Sequence, residues 1–199
     1  MSAAPSRRRI GVMGGTFDPI HAGHLIVAAE ALHALNLTQV LFVPAASPWQ
    51  KRPTESAQHR LAMVERAISG ETKFGVSDVD LVRGGNTYTV DTLSDIAAGH
   101  PDAEMFLLVG TDALNAMHTW KDYERIFTQA HVVALARPGY VPSTGEAQLS
   151  GVTFLEVPSI DISSTDCRDR LKYGRPVKYM LSEPVYDYIQ QHQLYRRLL

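Results

Sequence analysis

The sequence predicts an α/β fold, a doubly wound and mostly parallel sheet with helices on both of its faces. Short apolar runs of strand length alternate with amphipathic segments of helix length along the chain. That alternation supplies the helical crossovers that parallel strands require. The length of 199 residues, 45% of them hydrophobic, suits one compact domain with a sizeable core.

The elements of the first half are predicted from the spacing of their apolar residues. The apolar run at 10–13 ends at two glycines, which is typical of a buried strand. The segment 22–35 carries leucines and alanines at helical spacing and closes at Asn36, so it predicts a helix with one buried face. The prolines between 44 and 54 indicate an irregular loop, which is a candidate flap over the substrate. The remaining elements are a strand at 40–43, a helix through Leu61, Val64 and Ile68, a strand at 74–82, a turn at Gly84-Gly85-Asn86, and a helix through Val90, Leu93 and Ile96.

The second half continues the alternation. The run at 105–109 is the clearest buried strand, and further strands are predicted at 131–136 and 152–157. Two short helices are predicted around Trp120, at 112–117 and 123–130. A helix at 163–173 follows, and a last one begins at Glu183-Pro184, where proline near the first helical position loses no hydrogen bond.

Composition and charge exclude several classes of protein. Lys+Arg 19 against Asp+Glu 21 gives a formal charge of −2, which argues against a general nucleic-acid binder. No apolar segment approaches the ~20 residues needed to span a bilayer, so no membrane association is expected. The single cysteine, Cys167, excludes an intramolecular disulfide and fits a cytoplasmic protein.

The segment from Gly14 to His24, after the first strand, carries unusual chemistry. Its two glycines let the backbone approach a phosphate, and His21 and His24 can face one target from a helix start. Imidazoles placed there can donate hydrogen bonds to phosphate oxygens as negative charge builds. A glycine turn with two surface histidines, or a chance metal pair, fits the same residues. Neither the GxGxxG fingerprint nor the Walker A motif is present.

A second polar segment, Ser163 to Arg168, follows the last strand. Ser163 and Asp166 have the spacing of a capping box, which explains one hydroxyl. Three successive hydroxyl residues and an arginine one turn into the helix favour a phosphate site at the helix N-terminus. Because ligands bind at the carboxyl ends of parallel strands, we expect both segments to meet at one crevice.

These two segments, GGTFDPIHAGH and ISSTDCR, resemble those of the nicotinate-nucleotide adenylyltransferase family, a group of HxGH nucleotidyltransferases. Segments at 85–93, 109–114 and 119–120 occur in the family's order, so the resemblance covers nearly the whole chain and is greatest to actinobacterial members. Departures are Cys167, where an aliphatic residue is usual, and Lys121, where some relatives have tyrosine. The resemblance implies a Rossmann-like fold and a single nucleotidyltransferase domain over 1–199, with a C-terminal helical part at 158–199. Residues 1–7, which precede the first apolar run, are expected to form a loose tail.

The resemblance also implies the site residues. The catalytic residues would be His21, His24 and Arg168, with His24 stabilising the reacting α-phosphate. The ATP-binding residues would be Gly14, Gly15, Thr16, Phe17, His21, His24, Gly110, Asp112, Ser163, Ser164, Thr165 and Arg168. The mononucleotide-binding residues would be Lys51, Thr87 and Trp120.

The implied reaction transfers the adenylyl group of ATP to nicotinate mononucleotide, giving nicotinate adenine dinucleotide and pyrophosphate in NAD biosynthesis. The mononucleotide phosphate would attack the α-phosphorus in line, without a protein nucleophile. Mg²⁺ is expected to arrive with ATP, because the motifs contain no dedicated carboxylate cage. Two alternatives stay open: an adenylyltransferase that acts on phosphopantetheine, and a non-catalytic nucleotide sensor that kept the fold. The sequence leaves the oligomeric state open, a homo-oligomer included.

Overall fold

The computed structural model describes residues 7–49, 52–140 and 150–196, and eight strands lie within them. The strands are β1 (Arg9–Gly15), β2 (Gln39–Pro44), β3 (Ser47–Pro48), β4 (Phe74–Val76), β5 (Asn86–Thr87), β6 (Glu104–Gly110), β7 (His131–Ala136) and β8 (Val152–Glu156). The helices are α1 (Ala22–Ala34), α2 (Ala57–Ile68), α3 (Val79–Arg83), α4 (Thr89–Gly99), α5 (Thr111–Ala116), α6 (Tyr123–Gln129), α7 (Ser164–Lys172) and α8 (Glu183–Gln191), with one 3₁₀ turn at Met117–Thr119.

The main sheet is parallel throughout, in the order β4-β2-β1-β6-β7-β8. From β1 the chain adds β2 and β4 on one side of the sheet. It then returns to the other side of β1, where it adds β6, β7 and β8. The strand order therefore reverses between β1 and β6, which is where such sheets open a ligand crevice at their carboxyl ends. The predicted doubly wound α/β fold is confirmed.

The core consists of two apolar layers, one on each face of the sheet. Side chains alternate along β2, so Phe42 packs into one layer while Leu41 and Val43 pack into the other. The layer of Phe42 receives apolar residues of α1, α2 and α8, and the opposite layer receives those of α4 and α6. The central strands β1, β2, β6 and β7 are buried on both faces, as a parallel sheet requires, whereas the edge strand β8 is largely exposed.

The segment 74–82 differs from its prediction. Only Phe74–Val76 form a strand, and Val79–Arg83 form a helix. The buried carboxylate of Asp80 accepts a hydrogen bond from Thr92 Oγ1 at 2.6 Å and pairs with Arg83, three residues later. That spacing places Asp80 and Arg83 on one side of a helix, so the prediction of a continuous strand was wrong.

The proline-rich loop after β2 also contains structure that was not predicted. Ser47 and Pro48 pair with Asn86 and Thr87 as the parallel strands β3 and β5. Thr87 Oγ1 accepts the backbone N–H of Ala46 at 3.0 Å and that of Ser47 at 3.4 Å. This side of the loop is therefore fixed to the segment that precedes α4.

No helix within the described part of the chain is long and apolar enough to cross a bilayer.

Candidate active site

The glycine-rich loop leaves the carboxyl end of β1 with its backbone accessible. Gly14 is exposed, and a Cβ atom added there would meet no atom within 4 Å. Phe17 adopts a left-handed conformation, with φ at +50°, and its buried ring packs against Phe42 and edge-on against His24. Because that ring is committed to the core, the loop offers a ligand main-chain groups, as was predicted for a phosphate or nucleotide contact.

His21 and His24 lie at the start of α1 and face one another. His21 is the N-cap residue, and the two ring centroids are 3.8 Å apart. The backbone N–H of His21 donates to His24 Nδ1 at 3.2 Å. Since Nδ1 accepts this bond, a neutral His24 carries its ring hydrogen on Nε2. The geometry therefore makes Nε2 a hydrogen-bond donor.

His21 is the more buried of the pair, with 8% of its surface exposed. Burial lowers its pKa to about 4, so the ring is neutral near pH 7. Its Nδ1 is buried and has no hydrogen-bond partner among the described residues. A Cβ atom at Gly23 would lie 3.1 Å from two atoms of this ring, so the glycine between the histidines permits their close packing.

The N-terminus of α7 is attached to the glycine-rich loop, 145 residues away in sequence. Ser163 Oγ accepts the backbone N–H of Asp166 at 3.1 Å, so the predicted capping role is confirmed. Ser164 Oγ donates to the carbonyl oxygen of Pro19 at 2.9 Å. The remaining N–H groups of the first turn have no acceptor inside the helix, which leaves them for an anion.

Arg168 joins the two motifs a second time. Its Nη1 donates to the carbonyl oxygen of Asp18 at 2.7 Å, and its Nη2 donates to Thr165 Oγ1 at 3.1 Å. The carboxylate of Asp166 is paired with Arg170 Nε at 2.8 Å, which balances its charge one turn further along α7. Both motifs therefore meet at the end of β1, as expected, and they bring two imidazoles and a guanidinium together.

Gly110 and Asp112 lie at the carboxyl end of β6, the strand next to β1, as the glycine-rich loop lies at the carboxyl end of β1. Gly110 is the last residue of β6, and Asp112 lies in the first turn of α5. Both are exposed, and β6 pairs directly with β1. They therefore lie on the β6 side of the crevice whose β1 side carries the glycine-rich loop.

The predicted mononucleotide residues fall on a different set of segments. Thr87 lies on β5, and Trp120 ends the 3₁₀ turn, half-buried against the core layer of α4 and α6. Lys121 links the segment of Trp120 to that of Thr87. Its Nζ pairs with Asp91 at 3.0 Å and lies 4.9 Å from the ring centroid of Tyr88. Trp120 Nε1 is buried without a hydrogen-bond partner in the described part of the protein. The third predicted residue, Lys51, lies outside the described residues.

Three residues around the glycine-rich loop were not singled out from the sequence. They are Asp18, Arg60 and Tyr195, all of them buried. Arg60 carried a usable signal, because it precedes Val64 and Ile68 at intervals of four and so lies on the buried face of α2. No local pattern distinguished Tyr195.

The donor chemistry of the site suits anions. Its side chains include two imidazoles, several hydroxyls and a guanidinium, and of its carboxylates that of Asp166 is paired with Arg170. Within residues 7–49, 52–140 and 150–196, no three His, Cys, Asp or Glu side chains come close enough to share a metal ion.

Comparison with known proteins gives consistent matches. Residues 12–170 match the model of the cytidylyltransferase-like family. A protein of Clavibacter sepedonicus named probable nicotinate-nucleotide adenylyltransferase is 48% identical over 195 residues, which are 98% of either chain. A Streptomyces coelicolor protein of the same name is 46% identical over 92% of this chain and 99% of its own. The structure of Plasmodium falciparum nicotinic acid mononucleotide adenylyltransferase complexed with NaAD has a TM-score of 0.76 at 21% identity, covering 94% of this chain and 97% of that chain. This last likeness concerns the fold.

Proposed function

This chain belongs to the nicotinate-nucleotide adenylyltransferases of the cytidylyltransferase-like family, and we propose that it transfers the adenylyl group of ATP to nicotinate mononucleotide. The products are nicotinate adenine dinucleotide and pyrophosphate, in NAD biosynthesis in the cytoplasm. The observation that supports this function most directly is the contact between the two polar motifs. Arg168 donates a hydrogen bond to the carbonyl oxygen of Asp18, and Ser164 donates one to that of Pro19.

The ATP phosphates bind between these motifs. The main chain of Gly14 to Phe17 lines the nucleotide groove, with Gly110 and Asp112 near the adenosine ribose. The first turn of α7 offers N–H groups and the hydroxyls of Ser163, Ser164 and Thr165 to the terminal phosphates. Arg168 adds a guanidinium, whose charge-assisted hydrogen bonds to phosphate are stronger than those of neutral donors.

The histidine pair acts at the α-phosphate. His24 donates from Nε2, because its Nδ1 is occupied by the backbone N–H of His21. The mononucleotide phosphate attacks the α-phosphorus in line, and the pyrophosphate oxygen leaves on the opposite side. A donor aimed at the oxygens that gain charge in this step stabilises the transition state more than bound ATP. His21 packs against the His24 ring and orients it.

The mononucleotide binds beside β5. The indole of Trp120 supplies a face for the pyridine ring, and N–H groups near Thr87 and Trp120 meet the carboxylate. Thr87 Oγ1 already accepts two backbone N–H groups, so its own hydrogen remains to donate. Lys51, which follows β3 in the sequence, screens the charge of the phosphates.

Mg²⁺ enters as part of the substrate, bound to the ATP phosphates. When bound it neutralises charge on the phosphoryl oxygens. The imidazoles, hydroxyls and guanidinium of the site complement the phosphates, and among the described residues no three His, Cys, Asp or Glu side chains lie close enough to hold the metal themselves.

The test is pyrophosphate release measured with ATP, Mg²⁺ and a panel of acceptors. We expect turnover with nicotinate mononucleotide above all others in the panel, which includes nicotinamide mononucleotide and phosphopantetheine. Preferred turnover with phosphopantetheine would replace the proposed substrate. Tight ATP binding without release of pyrophosphate from ATP in the presence of any acceptor would indicate a nucleotide sensor and contradict the proposed enzymatic activity.

A further inference from the structure

Arg60 is a buried charge beneath the glycine-rich loop, with 1% of its surface exposed. Its guanidinium donates to four backbone carbonyl oxygens and makes no close ion pair within the described residues. The acceptors are Thr16 at 2.7 Å, Ala45 at 2.7 Å, Ala46 at 3.2 Å and Glu55 at 3.2 Å.

These carbonyl groups belong to the two loops that carry the proposed substrate contacts. Thr16 lies in the proposed ATP-binding loop. Ala46 lies next to the proposed mononucleotide site, because its N–H donates to Thr87 Oγ1 at 3.0 Å. The two loops also touch directly, since the Ala45 N–H donates to the Gly15 carbonyl oxygen at 2.9 Å. The Arg60 guanidinium, buried beneath the loops, therefore contacts both of the loops that carry the proposed substrate subsites.

Asp18 and Tyr195 complete this arrangement. The carboxylate of Asp18 is buried, with 3% exposed, and accepts the N–H of Thr54 at 2.6 Å and that of Glu55 at 3.3 Å. The Tyr195 hydroxyl donates to it at 2.7 Å. Burial lowers the pKa of Arg60, and the nearby Asp18 carboxylate opposes that shift. Two buried charges of opposite sign thus hold one network of loops together.

We propose that Arg60, together with Tyr195 acting through Asp18, is a positioning residue that fixes the separation between the ATP loop and the mononucleotide segment. This inference rests on the proposed function, because in-line attack requires both substrates at one distance and angle. The guanidinium is suited to it, since its planar fork donates in several fixed directions at once. A lysine at position 60 would keep the charge but lose that geometry.

The experiment compares Arg60→Lys with Arg66→Lys on the same helix. Arg66 donates to Ala62 within α2 and covers the ring of Tyr188, away from the loops. We expect Arg60→Lys to lower kcat and raise KM for both substrates, with a loss of at least about tenfold in kcat/KM, since small misplacements cost that much. Arg66→Lys should shift Tm without moving these constants. A folded Arg60→Lys enzyme with unchanged kcat and KM would overturn the proposal.

Tyr195→Phe serves as a second variant in case Arg60→Lys fails to fold, and hydrogen exchange serves as a second measurement that does not depend on the reaction. If Arg60→Lys does not fold, Tyr195→Phe removes only the hydroxyl on Asp18 and should raise both KM values in the same direction. Unchanged constants in Tyr195→Phe would then contradict the network. Hydrogen exchange of the Ala45 and Ala46 amides should be faster in a folded Arg60 or Tyr195 variant than in the parent, because the loops are held less firmly. This measurement tests the positioning role without depending on the reaction. The proposed activity is tested separately, by pyrophosphate release with the parent enzyme.

Discussion

Arg168 Nη1 donates a hydrogen bond of 2.7 Å to the main-chain carbonyl oxygen of Asp18, 150 residues earlier in the chain. The same guanidinium reaches Thr165 Oγ1 with its other terminal nitrogen. We therefore propose two functions for Arg168. It attaches α7 to the glycine-rich loop, and it places a fixed positive charge where the terminal phosphates of ATP would lie.

Replacing Arg168 with alanine should mainly weaken ATP binding. A guanidinium on the terminal phosphates interacts with bound ATP and with the transition state alike, so its loss raises KM for ATP more than it lowers kcat. We expect KM to rise by about tenfold or more, as for a lost charge-assisted hydrogen bond. Steady-state kinetics with varied ATP measures the change.

Arg170→Ala is the matched control for that experiment. Arg170 lies one half-turn further on the same helix, where it pairs with Asp166 and donates to the Pro176 carbonyl oxygen. Its loss should lower Tm and leave KM for ATP near the parent value. Equal effects of the two substitutions on KM would contradict a phosphate contact by Arg168.

Replacing His24 with alanine should lower kcat by about 10²–10³, the range for removing one donor that acts in the transition state. The expected change in KM for ATP is much smaller, because Nε2 is proposed to act on charge that develops during the reaction. His33→Ala, at an exposed position in the last turn of α1, controls for effects on the helix. Thermal melting must first show that both variants fold, and a folded His24→Ala enzyme with normal kcat would refute the catalytic role.

The burial of His21 predicts that stability decreases in acid. The pKa falls from 6.5 to about 4 on folding, so between these pH values the unfolded chain binds a proton that the folded chain does not. The free energy of unfolding therefore decreases as the pH falls through this window, by about 3 kcal/mol for the whole shift. His21→Asn, which keeps a residue suited to the N-cap, should remove most of this dependence. Urea denaturation at about pH 7 and about pH 4.5 measures it, and an equal dependence in parent and variant would disprove the assignment to His21.

The acceptor site should favour nicotinate over nicotinamide mononucleotide. A carboxylate accepts hydrogen bonds from the donors near Thr87, whereas the NH₂ group of the amide would face other donors. Mismatched polar groups cost roughly 1–3 kcal/mol, so we expect about tenfold or greater discrimination in kcat/KM. Thr87→Val should reduce turnover of the acid, while Thr87→Ser, which keeps the hydroxyl, should retain it. Equal efficiency of the parent with both mononucleotides would contradict this donor arrangement.

The helices and strands could be predicted well because most of them carry a local apolar period. The run at 105–109 and the spacing in 22–35 predicted β6 and α1 closely. The segment 74–82 was wrongly predicted as one strand because its apolar residues alternate. Its second part is a helix, in which Asp80 and Arg83 pair at helical spacing. A strand pair of two residues each, β3 with β5, is too short to have any period.

Local patterns in the sequence predict the doubly wound α/β fold and the two candidate phosphate-binding motifs, because apolar periodicity and a glycine-rich or hydroxyl-rich run are properties of neighbouring residues. How those motifs meet depends on contacts between distant segments of the folded chain. The tautomer of His24, the attachment of Arg168 to Asp18, and the burial of Arg60 beneath both loops all depend on contacts between specific atoms. Tyr195 and Asp18 are 177 residues apart. Their hydrogen bond forms only when the folded sheet and helices bring both ends of the chain to one place, so no local pattern could predict it.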